Sequence, residues 1–149
     1  MMVYLAWRFQ FQYALCAIIA LIHDVVVALG IFFLTGREFS LPTVAAVLTI
    51  IGYSINDTII TFDRIREDVK VYRKEEFSKI VTLSINQTFS RTVLTTLTTL
   101  FGVVALLLFG GPAINDFAFI LLIGFSSGVY STMFIASPFL VAMLGKKKA

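Results

Sequence analysis

Asp24, Asp57 and Arg91 each stand inside a long stretch of mostly apolar residues, where an ionisable side chain needs a reason to be. Asp57 lies fifteen residues beyond Pro42, about 22 Å along a helix. An ionised carboxylate at that depth in a bilayer costs about 2.5–3.5 kcal/mol on insertion scales, so its default reading is functional. Arg91 lies eighteen residues before Phe109, about 27 Å by the same rise. The two depths differ by about 5 Å, which an arginine can reach, and Arg91 is the expected partner of Asp57. Arg91 also belongs to a polar stripe at helical spacing, Gln87, Arg91, Thr95 and Thr98, with Thr88, Thr92 and Thr99 one position over. Such a stripe suits a helix lining a hydrated cleft. Asp24 is ten residues from Leu34, about 15 Å deep and near the midplane.

These residue types permit proton transfer. A proton path needs an acid that changes charge, a counter-charge that biases it, and water. Burial favours the neutral acid and a nearby guanidinium favours the carboxylate, so small movements could switch Asp57. The expected relay is Asp57, Arg91 and Asp24, supported by Asn56, Gln87, Thr88 and Thr95. Protonation would weaken the hold on Arg91 and let the two helices rearrange. The blander readings are a protonated Asp57 acting as packing glue and an Arg91 that snorkels to the interface. His23 points about 100° away from Asp24 on a helix, and an interhelical hydrogen bond is its expected role.

Competing chemistry has little support. Two intramembrane aspartates suggest an aspartic protease, yet the Gly-x-Gly-Asp and Tyr-Asp signatures are missing and the run is Gly52-Tyr53-Ser54-Ile55-Asn56-Asp57. No phosphate-binding glycine loop or metal-ligand spacing occurs, so no enzyme, metal or cofactor is expected beyond a coupling ion, a proton or sodium. The lone Cys16 reads as a small packing residue.

The elements that must position these residues follow from composition. The 149 residues are 58% hydrophobic and only 14% charged, with mean hydropathy +0.92 and fifteen Phe. A soluble domain carries about 25% charge. A disordered chain, an ordinary soluble enzyme and a nucleic-acid binder are excluded, and the expected solvent is the lipid bilayer. Four apolar runs, about 13–34, 42–62, 92–109 and 117–144, reach membrane-spanning length. The expected fold is an all-α, polytopic transmembrane helix bundle of one domain over residues 1–149, since outer-membrane strands would alternate polar and apolar. Arg8, the six cations of the 64–79 connector and the Lys146-Lys147-Lys148 tail fall on one side, against Arg37 alone on the other. The positive-inside rule therefore places both termini in the cytoplasm. Residues 1–8 read as an interfacial anchor carrying Tyr4 and Trp7, or as the last turn of a preceding helix. Gly124 and Gly128 form a small-xxx-small packing seam, and Pro138 is expected to bend or end the last helix. Arg64 with Asp68 and Asp63 with Arg66 are spaced for helical ion pairs in the connector.

Several runs carry a resemblance: Ile22-His23-Asp24, Glu38 to Ala46, Leu48 to Ile59 with its Gly-Tyr-Ser-Ile-Asn-Asp-Thr core, Asp63-Arg64-Ile65-Arg66-Glu67, Leu83 to Thr92, Leu108 to Pro112, and Ile135 to Pro138. Together they closely resemble the SecF family of protein-export membrane proteins over nearly the whole chain. The resemblance implies a half of the pseudo-symmetric SecD/SecF bundle, in the resistance-nodulation-division (RND) superfamily. It implies partners SecD, SecYEG and YajC in the bacterial inner membrane. It also implies use of the proton-motive force to help complete preprotein translocation after the ATP-driven SecA stage. The positions matching Asp57 and Arg91 are regarded in the family as its proton-responsive pair. A full member has six spans and an extracytoplasmic domain; this chain matches the C-terminal part, so a fragment, a truncated product and a split subunit all fit. The alternatives are an RND-type proton-coupled exporter fragment and a non-catalytic assembly subunit.

Overall fold

The computed structural model describes residues 11–144. The expected anchor at residues 1–8 and the basic tail lie outside them. Among the described residues the chain is helical with no strand: α1 (Phe11–Leu34), α2 (Leu41–Val71), α3 (Phe77–Phe109), α4 (Pro112–Ser131), a single π-helical turn (Thr132–Ala136) and α5 (Ser137–Leu144). The last three run end to end, giving four helices long and apolar enough to cross a membrane.

Helix ends follow local chemistry. After α1 the chain turns at Gly36, where φ is +69° and glycine avoids the left-handed penalty. Its N–H reaches the Phe33 carbonyl at 3.1 Å. Pro42 sits in the first turn of α2, where its missing N–H costs nothing. The Ser40 N–H is taken by Thr43 Oγ1 at 3.3 Å. Gly111, with φ +74°, turns the chain from α3 into the Pro112 start of α4.

Helical structure continues past the apolar runs. The expected 64–79 connector shrinks to residues 72–76, and α3 starts at Phe77 rather than near Thr92. The reason is tertiary: Phe77, Ile80, Val81, Ser84 and Thr88 are buried and recur at i, i+3, i+4, i+7 and i+11. That is one helix face packed against the bundle, though the segment carries too many polar groups to read as a span.

α4 is the central helix, touching α1, α2 and α3. Among the described residues the core has two apolar clusters. One gathers Tyr13, Cys16, Ala20, Phe62, Ile65, Phe77 and Leu140. The other gathers Ala28, Phe32, Ala46, Ile50, Val103, Leu121 and Phe125. Between them, along α1, lies Asp24, four residues from Ala20 and four from Ala28. The outer faces leave Leu34, Leu41, Phe101 and Phe109 exposed, a surface suited to lipid. With the helix count and lengths, this makes the chain a multi-pass membrane protein.

Gly124 lets α4 approach α2 closely, since a Cβ there would overlap the Ile50 side chain. Gly124→Val is expected to destabilise the bundle by about 1–3 kcal/mol through overpacking. Ile50→Ala in the same molecule should restore part of that loss, because it removes the obstructing atoms. Detergent-titrated unfolding of the single and double variants measures both, and additive losses would rule out this contact as the cause.

Pro138 is accommodated by widening the helix rather than ending it. Proline cannot donate to the carbonyl four residues back, and its ring crowds that oxygen. The π turn at Thr132–Ala136 lies immediately upstream, and Ser137 Oγ donates to the Thr132 carbonyl at 2.9 Å. Single π turns of this kind recur at functional sites.

Candidate functional site

Asp57 projects from α2 toward α3. Thr92 Oγ1 donates to Asp57 Oδ1 at 3.1 Å, while Oδ2 is buried and has no hydrogen-bond partner. A cavity of about 80 Å³ opens beside it, lined by Tyr53, Asn56, Asp57, Ile60, Arg91 and Thr95. A water takes about 30 Å³ in the liquid, so the space suits about two or three.

Arg91 thus shares a cavity with Asp57, but the expected direct ion pair is not formed: the ion pairs among the described residues are His23–Asp24, Arg37–Asp116, Arg64–Glu67 and Arg64–Asp68. Thr92 is buried against α2 whereas Arg91 is exposed. One residue of helix is about 100° of rotation, which turns the guanidinium to the cavity's rim when the neighbouring hydroxyl faces the carboxylate. Nearby, Tyr53 Oη lies 3.3 Å from Thr96 Oγ1.

The supporting residues divide. Asn56 and Thr95 line the cavity, and Thr95 Oγ1 donates to the Arg91 carbonyl at 2.9 Å. Thr88 is buried but donates to its own helix, to the Ser84 carbonyl at 3.0 Å. Gln87 belongs to another cluster: its Oε1 accepts from Arg64 Nε at 2.6 Å. The same Arg64 Nε is 3.5 Å from Asp68, which in turn accepts from Ser84 Oγ at 2.7 Å. Those groups tie the last turns of α2 to the first turns of α3.

Asp24 lies apart from the cavity. It is fully buried, and three helices send donors to it. Ser54 Oγ of α2 donates to Oδ2 at 2.6 Å, Ser131 Oγ of α4 to Oδ2 at 2.7 Å, and Ser127 Oγ of α4 to Oδ1 at 2.9 Å. His23 also turns to it, with Nδ1 3.3 Å from Oδ1. The expected interhelical hydrogen bond of His23 is corrected to a contact with Asp24 of its own helix. Adjacent Cβ atoms diverge, but an imidazole is long enough to swing its Nδ1 back over the next residue. Gly128 backs this cage, where a Cβ would meet Asp24 Oδ2 and Ser54 Cβ at 3.7 Å, an ordinary contact. Beside it, Thr58 and Thr132 hydroxyls meet at 3.0 Å.

α2 therefore presents two polar faces. Ser54 and Thr58 look toward α1 and the end of α4, while Tyr53 and Asp57 look toward α3. Ser54, Thr92, Ser127 and Ser131 were not among the expected site residues. A membrane-helix hydroxyl ordinarily bonds its own backbone, so each alone carries little signal. A face match between Asp24 and small polar residues on other helices was the available clue.

At the end of the bundle holding residues 35–40, Arg37 joins the loop between α1 and α2 to the first turns of α4. Its Nη1 donates to Asn115 Oδ1 at 2.7 Å and pairs with Asp116, and its Cζ sits 4.1 Å from the centre of the Phe119 ring. Arg37→Ala should lower stability by about 1–2 kcal/mol, since it removes the cation above the Phe119 ring together with the partly shielded ion pair. Arg37→Lys should recover only part of it, because an ammonium cannot match the planar guanidinium. Thermal unfolding in detergent measures both.

Comparisons with known proteins agree on one family. The family model described as protein export membrane protein SecD/SecF, C-terminal, matches residues 1–146. The chain is 48% identical over 146 residues to protein translocase subunit SecF of Rickettsia conorii, covering 98% of this chain and 47% of that protein. The SecF of Rickettsia akari gives the same figures. The chain thus spans less than half the length of these relatives. A crystal structure of SecDF in a super-membrane-facing form superposes with a TM-score of 0.94 at 46% identity, covering 99% of this chain and 20% of that one. SecDF from Thermus thermophilus, described as a translocon-associated membrane protein, superposes at 0.91 and 46% identity over 95% of this chain and 20% of its own. On the family match, the near-complete coverage of this chain and the shared helical architecture, the chain belongs to the SecD/SecF family of protein-export membrane proteins.

Proposed function

We propose that this chain is the C-terminal membrane region of a SecF subunit, which works with SecD beside SecYEG and YajC to promote preprotein translocation across the bacterial inner membrane. Both termini face the cytoplasm in this reading, and the driving force is the proton-motive force. The chain is a transport subunit rather than an enzyme, and its coupling ion is a proton or sodium. One observation carries the mechanism. Asp57 has a buried, unpartnered Oδ2 on a water-sized cavity whose rim holds Arg91. A proton on Oδ2 gives that oxygen a hydrogen to donate into the cavity. Its loss leaves a carboxylate that attracts the guanidinium, and pairing would turn the Asp57 flank of α2 toward Arg91 of α3. Thr92 donates to the other oxygen, which leaves Oδ2 as the one that faces the cavity.

The test is export in cells lacking their own SecF, with this segment grafted onto the missing N-terminal half. The wild-type graft is expected to restore gradient-dependent export of a preprotein. Arg91→Met is expected to lose it while still assembling with SecD at equal protein level. Normal export with Arg91→Met would make the cavity a structural feature and the chain an assembly module.

A further inference from the structure

We propose that His23 is the residue through which protons exchange with Asp24, making the pair a second proton-binding site of the bundle, separate from the Asp57 cavity. Asp24 is fully buried, and both its oxygens are occupied by donors: Ser54 and Ser131 on Oδ2, Ser127 and His23 on Oδ1. Serine hydroxyls can orient around a carboxylate but do not hold an extra proton at accessible pH, whereas imidazole does so near neutrality. The His23 side chain keeps 34% of its surface exposed beside an Asp24 that keeps none. It lines a groove of about 380 Å³ between α1 and α4 together with Val27, Ser126, Ser127 and Tyr130. Among the described residues around Asp24, His23 has no rival. α2 offers Ser54 to Asp24, and its acid Asp57 is directed at Thr92 of α3. α4 offers Ser127, Ser131 and Tyr130, whose ring centre is 6.4 Å from that of His23. The π turn offers Thr132, which is paired with Thr58.

The transfer balances as a relay. A proton from the groove adds to His23 Nε2, and the proton on Nδ1 passes to Asp24 Oδ1. The ring ends neutral with its hydrogen on Nε2, and Asp24 ends as a neutral acid. The reverse sequence releases the proton to the groove. A neutral acid needs fewer donors than a carboxylate, and the cage can release one: Ser131 Oγ already has the Gly128 carbonyl at 3.1 Å as a second acceptor.

Infrared spectroscopy of the purified protein in lipid nanodiscs after a pH jump tests this. A protonated-carboxyl band absent from Asp24→Asn is expected to grow after a downward pH jump and fade after an upward one. In His23→Asn, which keeps a hydrogen-bond donor for Asp24 but cannot relay, the exchange rate of that band should fall by about a hundredfold. Wild-type rates in His23→Asn, or no Asp24 band across the range, would overturn the proposal. The same band and rate are expected in an Asp57→Asn background, whatever that change does to export; their loss there would show that the two sites are one.

Discussion

Asp57→Asn is expected to abolish the gradient-dependent component of export while leaving the protein assembled and at normal level. Asparagine nearly matches aspartate in size, and its amide oxygen can still accept from Thr92 where Asp57 Oδ1 accepts at 3.1 Å. The α2–α3 contact should therefore survive. What disappears is the change of charge. An amide on the cavity of about 80 Å³ presents Arg91 with the same neutral neighbour in every state, so no gradient can bias the two arrangements. The loss should be at least about tenfold in the gradient-driven rate, or about 1.4 kcal/mol of lost coupling. Asp57→Glu should retain part of the activity, since it still titrates but places the carboxyl one methylene further into the cavity. The check is export measured with and without an uncoupler. Asp57→Asn retaining the full uncoupler-sensitive component would sink the proton-responsive role of Asp57.

The second large effect falls on stability. Asp24→Leu removes the acceptor for three serine hydroxyls and a histidine in a fully buried position. Deleting one partner of a buried ionic network costs about 3–5 kcal/mol in soluble proteins. Two considerations reduce that here. Serines on helices can fall back on their own backbone, as Ser131 does with Gly128, and interhelical hydrogen bonds in membranes average about 0.6 kcal/mol. The expected loss is about 2–4 kcal/mol for Leu, and about 1 kcal/mol for Asn, which keeps an acceptor and the side-chain volume. Unfolding by increasing sodium dodecyl sulfate, followed by circular dichroism, measures the order. Asp24→Leu matching the wild type would mean the serines contribute nothing through Asp24.

The legible part of this molecule was whatever lipid makes expensive. Four long apolar runs can do little in a bilayer except span it as helices, so the architecture followed from hydropathy. Asp24, Asp57 and Arg91 stood out for the same reason: each is a charge where the solvent offers no stabilisation. Directions around a helix were harder to read. Thr92 rather than Arg91 bonds Asp57, a difference of one residue, and spacing gave no way to choose between neighbours in a threonine-rich stripe. Gln87 went to Arg64 because α3 begins a full four turns before its apolar run, which puts that residue beside the end of α2. The serine cage was least visible, since Ser54, Ser127 and Ser131 acquire meaning only when three helices converge on Asp24.

Both ends of α2 are fastened. The loop before it is tied to α4 through Arg37, and its last turns are tied to α3 by Arg64 with Gln87 and Asp68 with Ser84. A rod pinned at both tips resists sliding and tilting, yet it can still roll about its own axis. Asp57 and Ser54 are three residues apart, so they sit on neighbouring flanks of that rod, about 60° from each other. A roll that carried Asp57 toward Arg91 would swing the Ser54 hydroxyl by the same angle against Asp24. Rotation, rather than sliding along its axis, is the motion this anchoring leaves open, and the serine that caps Asp24 rides on the same rod as Asp57.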